Sequence, residues 1–268
     1  MSVLPLHDGP PPDAELIGGK ARGLAQLLAL GLPVPPALVL TADAHERWRA
    51  QGRVAEQDRR ALAAALERLG APLAIRSSAA DEDAEERSAA GQYDSVLGVS
   101  GIDGVLAAVE HCWRQAEGGR AGAYRAGAPA RIALVLQREV IADRAGVAFS
   151  ADPVTGAATA VVIEAVFGHG QGAVGGTVTP DRYRVDRDSG AVGARIADKT
   201  AEADSAGGMH ALPPERSTAR TLRDDEARAV AALAVAAERG LERPVDLEFC
   251  FERGALWAVQ CRPITTLP

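Results

Sequence analysis

The 268-residue chain lacks the features that would place it in a membrane, in a disulfide scaffold or on nucleic acid. Its start, MSVLPLHDGPPPDAEL, has no basic n-region and no apolar h-region, and no later run approaches a membrane span. Three cysteines (Cys112, Cys250 and Cys261) form no CxxC and no metal-ligand spacing, so they read as reduced core thiols. A net charge of −7 argues against a general nucleic-acid binder, although a nucleotide cleft can be locally basic. There is no internal repeat and no nucleic-acid motif. The expectation is a cytoplasmic enzyme or module with no nucleic acid and no membrane among its partners. What the sequence does have is 47% hydrophobic and 24% charged residues, an ordinary globular balance. The length suffices for one sizeable α/β unit or two small lobes.

The most informative stretch is the last, Pro244 to Thr266. Asp246, Glu248 and Cys250 alternate with Val245, Leu247, Phe249 and Phe251, the period of a strand with one buried face. Glu252-Arg253-Gly254 supplies turn chemistry, and Ala255 to Cys261 reads as a second strand. A three-residue loop sets Asp246 opposite Gln260 and puts Asp246, Glu248, Gln260 and Arg262 on one face. A two-residue loop sends the two pairs to opposite faces. Two carboxylates, an amide and a guanidinium on one face fit a Mg-nucleotide platform, because Mg²⁺ takes carboxylate oxygens and keeps phosphates in its shell, and Arg matches phosphate. They equally fit the solvated face of an amphipathic edge hairpin.

Earlier in the chain, Ile17-Gly18-Gly19-Lys20 opens a helical pattern carrying Leu24, Leu27 and Leu28. Glycines before a helix let backbone N–H groups approach phosphate, with a Lys to meet its charge, but this GGK lacks P-loop spacing, and a plain helix start explains it too. A short strand, Leu73 to Arg76, runs into Ser77 and Ser78, where a guanidinium and hydroxyls can meet a phosphoryl group. Ser88 to Ser95, small residues around Gly91, suits a flap over a ligand or a tight surface loop. Strands are expected at Ala37–Leu40, Val96–Val99, Ile132–Gln137, Gly146–Ser150 and Ala160–Val166. Helices are expected at Ala55–Leu69, Ile102–Glu117 and Thr221–Arg239. Residues 193–211 are poorly patterned. His169, in a glycine loop, has no Cys or Ser partner in a recognisable catalytic arrangement.

Five segments then occur in one order: IGGKARGLAQLLALGLPVPPALVLT, LAIRSSAADEDAEERSAAGQYDSVLGV, LVLQREVIADRAGVAFSADPVTG, VIEAVFGHGQGAVGGTVTPDRY and VDLEFCFERGALWAVQCRPIT. Together they resemble the nucleotide-binding domain shared by phosphoenolpyruvate synthase, pyruvate phosphate dikinase and rifampicin phosphotransferase, from about residue 15 to 266. The resemblance implies an α+β, ATP-grasp fold, with two lobes and the nucleotide cleft between them. Residues 1–134 would form the N-terminal lobe and 135–268 the C-terminal lobe. It implies ATP and Mg²⁺ as cofactors and assigns phosphate contacts to Lys20, Arg76 and Arg262, the catalytic set. Gly91, Gln92, Tyr93, Asp94 and Ser95 correspond to the loop that covers the phosphates. Gln137, Arg138, Glu139 and Val140 correspond to the adenine hinge. Glu248 and Gln260, with Asp246, correspond to the metal ligands.

The sequence departs from that family at Ala80 and Ser95, where Thr is common, and at Gln171, where a Glu is usual near the ribose. None of its five histidines sits in the family's carrier context. The resemblance therefore implies the first half of a dikinase-type reaction, ATP to AMP and phosphate, with transfer to a His on a separate carrier domain or protein and an acceptor-binding subunit beyond it. A direct kinase or ligase yielding ADP, or a non-catalytic nucleotide-binding module, are the alternatives.

Overall fold

The computed structural model describes residues 2–6, 12–80, 95–118, 131–170, 178–205 and 208–264. The chain divides into two compact units, Met1–Ala29 with Pro35–Glu139, and Leu30–Val34 with Val140–Pro268. Each contains an antiparallel sheet and helices, so the α+β class expected from the sequence is the class observed.

The first unit contains β1 (Val3–Pro5), α1 (Ala14–Ala29), β2 (Ala37–Leu40), α2 (Ala42–Gln51), α3 (Glu56–Leu69), β3 (Leu73–Ala79), β4 (Ser95–Val99), α4 (Gly101–Gly118) and β5 (Ile132–Arg138). The strand order is β1-β2-β5-β3-β4. One face of the sheet presents Leu38, Leu40, Leu73, Ile75, Leu134 and Leu136 to Trp48, Leu62, Val109 and Trp113 of α2, α3 and α4. α1 packs on β3 and β5. Buried on both sides, β5 loses the alternation of a surface strand and reads as a continuous apolar run. It pairs throughout with β2 and β3, so the strand that a division at 134/135 would cut lies wholly in this unit. β3 is longer than its apolar core suggests. Ser77, Ser78 and Ala79 continue it by pairing with Leu134, Ala133 and Ile132, where the sequence reading ends the strand at Arg76.

The second unit contains β6 (Arg144–Phe149), β7 (Ala160–Phe167), β8 (Asp181–Asp186), β9 (Val192–Arg195), β10 (Ala201–Ala203), β11 (Met209–Ala211), α5 (Pro214–Ser217), α6 (Asp224–Leu241), β12 (Val245–Glu252) and β13 (Ala255–Pro263). Its six-stranded sheet runs β13-β12-β6-β7-β8-β9. Ala148, Ile163, Tyr183, Val185, Phe249 and Phe251 form one face and meet Ala227, Val230 and Ala234 of α6. Each fully buried Phe or Val contributes about 1.5–3 kcal/mol. Gly146 is the close-approach point of this sheet, since a Cβ there would lie 2.0 Å from the Glu164 carbonyl oxygen. Helix α6 starts at Asp224 rather than the expected Thr221, because the Arg223 N–H is taken by the Glu226 carboxylate at 2.9 Å in a capping arrangement. The poorly patterned 193–211 stretch holds three strands of three or four residues with largely solvent-facing side chains, too short and too exposed to show a period.

A buried polar network fixes the loops around β8. Asp181, with no exposed surface, accepts from Lys199 Nζ at 2.6 Å, the Ala197 N–H at 2.9 Å, and the Thr221 N–H and hydroxyl at 2.8 Å each. Burial pushes its carboxyl up, and these donors outweigh burial, so the net shift is downward.

Candidate functional site

In the first unit, the Gly18-Gly19-Lys20 and Arg76-Ser77-Ser78 motifs, far apart in sequence, meet through a glycine. Gly18 breaks α1 at φ 76°, ψ 170°, and a Cβ on it would lie 2.2 Å from the Ser78 carbonyl oxygen. Only glycine fits both the backbone angle and the approach. The helix therefore restarts at Gly19-Lys20-Ala21, with orphan N–H groups beside β3. The Ala21 N–H donates to Ser78 Oγ at 3.1 Å, a helix cap supplied from another element. Lys20, buried, donates Nζ to the Ser77 carbonyl at 3.0 Å. Arg76 is half-buried one residue before it, on the face of β3 that carries Ser78, with Ser95 as its cross-strand neighbour. Lys20, Arg76 and Ser95 are thus gathered by α1, β3 and β4.

The hinge residues fall at the end of β5. Gln137 is buried, and its Nε2 has no hydrogen-bond partner among the described residues. Arg138 donates its N–H to Pro36 and Nη1 to the Glu139 carbonyl at 3.4 Å. Glu139 is buried and accepts the Gly98 N–H at 2.5 Å. Burial raises its carboxyl, partly offset by that bond and by Arg76. Val140 is buried. Gly91, Gln92, Tyr93, Asp94 and Gln171 lie outside the described residues.

In the second unit the terminal hairpin forms, and its loop is the shorter of the two that the sequence leaves open. Glu252 pairs with Ala255, leaving a two-residue turn of Arg253 (φ 51°) and Gly254 (φ 83°), the positive-φ pair of a type I′ hairpin. The Asp143 carboxylate accepts the Arg253 N–H at 2.6 Å and helps hold a non-glycine residue there. Continued regularly, that turn would send Gln260 and Arg262 to the face packed against α6, burying a guanidinium among apolar side chains. A β-bulge prevents this. Val259 is the extra residue between the pairs Phe249–Ala258 and Glu248–Gln260, and it moves the register by one. Asp246 now stands opposite Arg262, not opposite Gln260 as a three-residue loop implies, and all four side chains share the face away from α6.

On that face, Arg262 Nη2 donates to Glu248 Oε1 at 3.3 Å. With the Gln260 amide turned so that its oxygen meets donors, that oxygen accepts from Arg262 Nε and Nη2, both at 2.5 Å. Asp246 Oδ1 is buried with no hydrogen-bond partner among the described residues. Its carboxyl is pushed up to about 6, by burial first and the Glu248 charge second, with Arg262 opposing. An orphaned carboxylate oxygen beside a second carboxylate and an amide oxygen is an oxygen-only donor set that suits Mg²⁺. No group of three or more His, Cys, Asp or Glu able to hold an ion is present among the described residues. A cation here would complete its shell with ligand oxygens.

Sequence reasoning found these residues but missed their supports: Ser78 as a helix cap, Asp143 under the turn and Val259 as the bulge. A hydroxyl beside Arg76 was a visible signal for the first; nothing in the pattern marks the bulge. His169 is buried, with Nε2 accepting from the Ala142 N–H at 3.3 Å, so the imidazole serves the backbone. Among the described residues no helix is long and apolar enough to cross a membrane.

The family described as pyruvate phosphate dikinase, AMP/ATP-binding domain matches residues 51–268. The prodigiosin-synthesizing transferase PigC of Serratia marcescens is 36% identical, over 93% of this chain and 32% of that protein. A rifampicin phosphotransferase of Streptomyces sviceus is 31% identical, over 99% of this chain and 36% of its own length. A phosphoenolpyruvate synthase of Aeropyrum pernix is 29% identical, over 88% and 38%. The chain spans about a third of the length of these relatives. The family match covers most of the chain, and the chain belongs to the pyruvate phosphate dikinase AMP/ATP-binding domain family.

Proposed function

We propose that the chain binds Mg-ATP and performs the first half of a dikinase-type phosphoryl transfer. ATP becomes AMP, the γ-phosphoryl leaves as phosphate with water as its acceptor, and the β-phosphoryl passes to a histidine on a separate carrier domain or protein. The observation that carries this reading is the hairpin face, where a bulge sets Asp246, Glu248, Gln260 and Arg262 together away from the apolar core. Such a register is worth its irregularity when the four side chains meet a charged ligand. Lys20, Arg76 and Arg262 would bind phosphate oxygens and neutralise charge, the main demand of phosphoryl transfer. Glu248 and Gln260, with Asp246, would hold Mg²⁺, which supplies charge neutralisation at the phosphates. Gln137 to Val140 would lie along the base, and Gly91 to Ser95 would cover the phosphates. The acceptor-binding subunit and a cytoplasmic location belong to the same proposal.

Phosphorus NMR of Mg-ATP turnover, run alone and with a histidine-carrier domain, tests it. The expected result is AMP and phosphate only when the carrier is present. ADP as the product would replace this reading with a direct kinase or ligase, and intact ATP in both tubes would leave a binding module.

A further inference from the structure

The hairpin face already holds a cation. The Arg262 guanidinium donates to the Glu248 carboxylate at 3.3 Å and, with the Gln260 amide turned so that its oxygen meets donors, to that oxygen with two N–H groups at 2.5 Å. Those are the oxygens that the proposed metal site would use. The third expected ligand, Asp246, is the register partner of Arg262 and leaves Oδ1 buried without a hydrogen bond among the described residues. Two carboxylates facing one guanidinium leave a net charge of −1, and adding a divalent ion while the guanidinium stays would bring the site to +1, with the ion beside a fixed cation. Like charges a few ångströms apart on a half-buried surface repel strongly. The Gln260 oxygen cannot serve both the guanidinium fork and a metal at full strength. A phosphate, in contrast, offers two oxygens to the planar guanidinium fork, a bidentate partner that it prefers over a single amide oxygen.

We propose that Arg262 is the placeholder cation of this site, occupying the metal ligands until nucleotide phosphate draws it away, so that the divalent ion enters with nucleotide and not before it. This rests on the metal-nucleotide reading above and adds an order of binding to it. Arg262 is then a positioning residue for the ligand set as well as a phosphate contact. In the nucleotide-free chain it keeps Glu248 and Asp246 from assembling with a metal that has no substrate.

The test is Mn²⁺ binding to the full chain, followed by water-proton relaxation, with Mn²⁺ alone and with adenosine 5′-(β,γ-imido)triphosphate. Wild type is expected to bind Mn²⁺ alone weakly and to form a ternary complex with the analogue. Arg262→Met should bind Mn²⁺ alone at least about tenfold more tightly than wild type, the scale of one removed neighbouring charge. Arg262→Gln should follow it, while Arg262→Lys, which leaves a cation in place, should stay near wild type. Melting curves confirm that each variant is folded. The proposal is overturned if both neutral variants bind Mn²⁺ no better than wild type while the wild-type ternary complex forms and is lost in Glu248→Gln. A ternary complex that survives Glu248→Gln removes the metal-ligand reading itself, and the placeholder falls with it.

Discussion

The second unit contains two acidic centres, and they are built to opposite specifications. Asp181 is fully buried, yet its two oxygens receive Lys199, two backbone N–H groups and the Thr221 hydroxyl, and the net effect lowers its carboxyl. Asp246 on the hairpin has a buried oxygen with no hydrogen-bond partner among the described residues and a carboxyl raised to about 6. Both sit on strands of one sheet, so the contrast does not come from the fold as a whole. A saturated carboxylate holds loops in place and has no capacity left for a ligand. An unsaturated one beside a second carboxylate is a standing cost that a bound cation would relieve. In this account saturation separates the structural centre from the functional one.

The strongest way to break the comparison is to open the saturated centre. Asp181→Asn leaves Lys199 buried without its anion, and thermal or denaturant unfolding should show a loss of about 3–5 kcal/mol. A loss below about 1 kcal/mol would mean that the network does not hold the loops around β8. The start of α1 extends the comparison to the first unit, where Ser78 satisfies the helix N-terminus. Gly18→Ala forces a side chain into a positive-φ position against the Ser78 backbone. It should destabilise the chain by about 2–4 kcal/mol in the same assay, a core-packing scale of loss. A near-neutral Gly18→Ala would contradict the close approach of the two motifs. On the unsaturated side the sign reverses. Asp246→Asn removes a desolvated charge, so the metal-free chain should gain on the order of 1 kcal/mol at pH 7 while its Mg-nucleotide binding falls.

The smallest effect is in acid. The carboxyl of Asp181 is lowered from 3.8. Its stabilisation is therefore complete above that value and is lost as the pH falls through the folded-state value below it. Asp181→Asn should flatten the acid limb of the stability curve below about pH 4. An unchanged limb would place the acid sensitivity elsewhere.

Much of this molecule could be read from its residues, and the exceptions have physical causes. The strands and long helices follow from the residues because Phe249 is buried by alternation, Val230 by helical spacing and Leu134 within a continuous apolar run. The candidate site residues could be named because charge on a strand face is costly and because five motifs occur in one order. Their register could not be settled, since turn length and bulge act together. The Arg253-Gly254 turn taken alone predicts opposite faces, and the extra Val259 reverses the outcome. The β9 to β11 strands were invisible because short, exposed strands carry no hydrophobic period. The Asp181 network was missed because its members, Asp181, Lys199 and Thr221, are up to 40 residues apart, and Lys199 and Thr221 lie in no recognisable motif.

The central claim is tested most directly by one variant measured in two ways. Glu248→Ala removes a half-exposed partner of Arg262, so its unfolding free energy should change by no more than about 1 kcal/mol. Calorimetric titration of the same protein with Mg²⁺ and the imido analogue of ATP should show binding reduced by at least about a hundredfold. A Glu248→Ala chain that binds Mg-nucleotide like wild type, or that unfolds as readily as Asp181→Asn, would contradict the assignment of the hairpin as the functional centre.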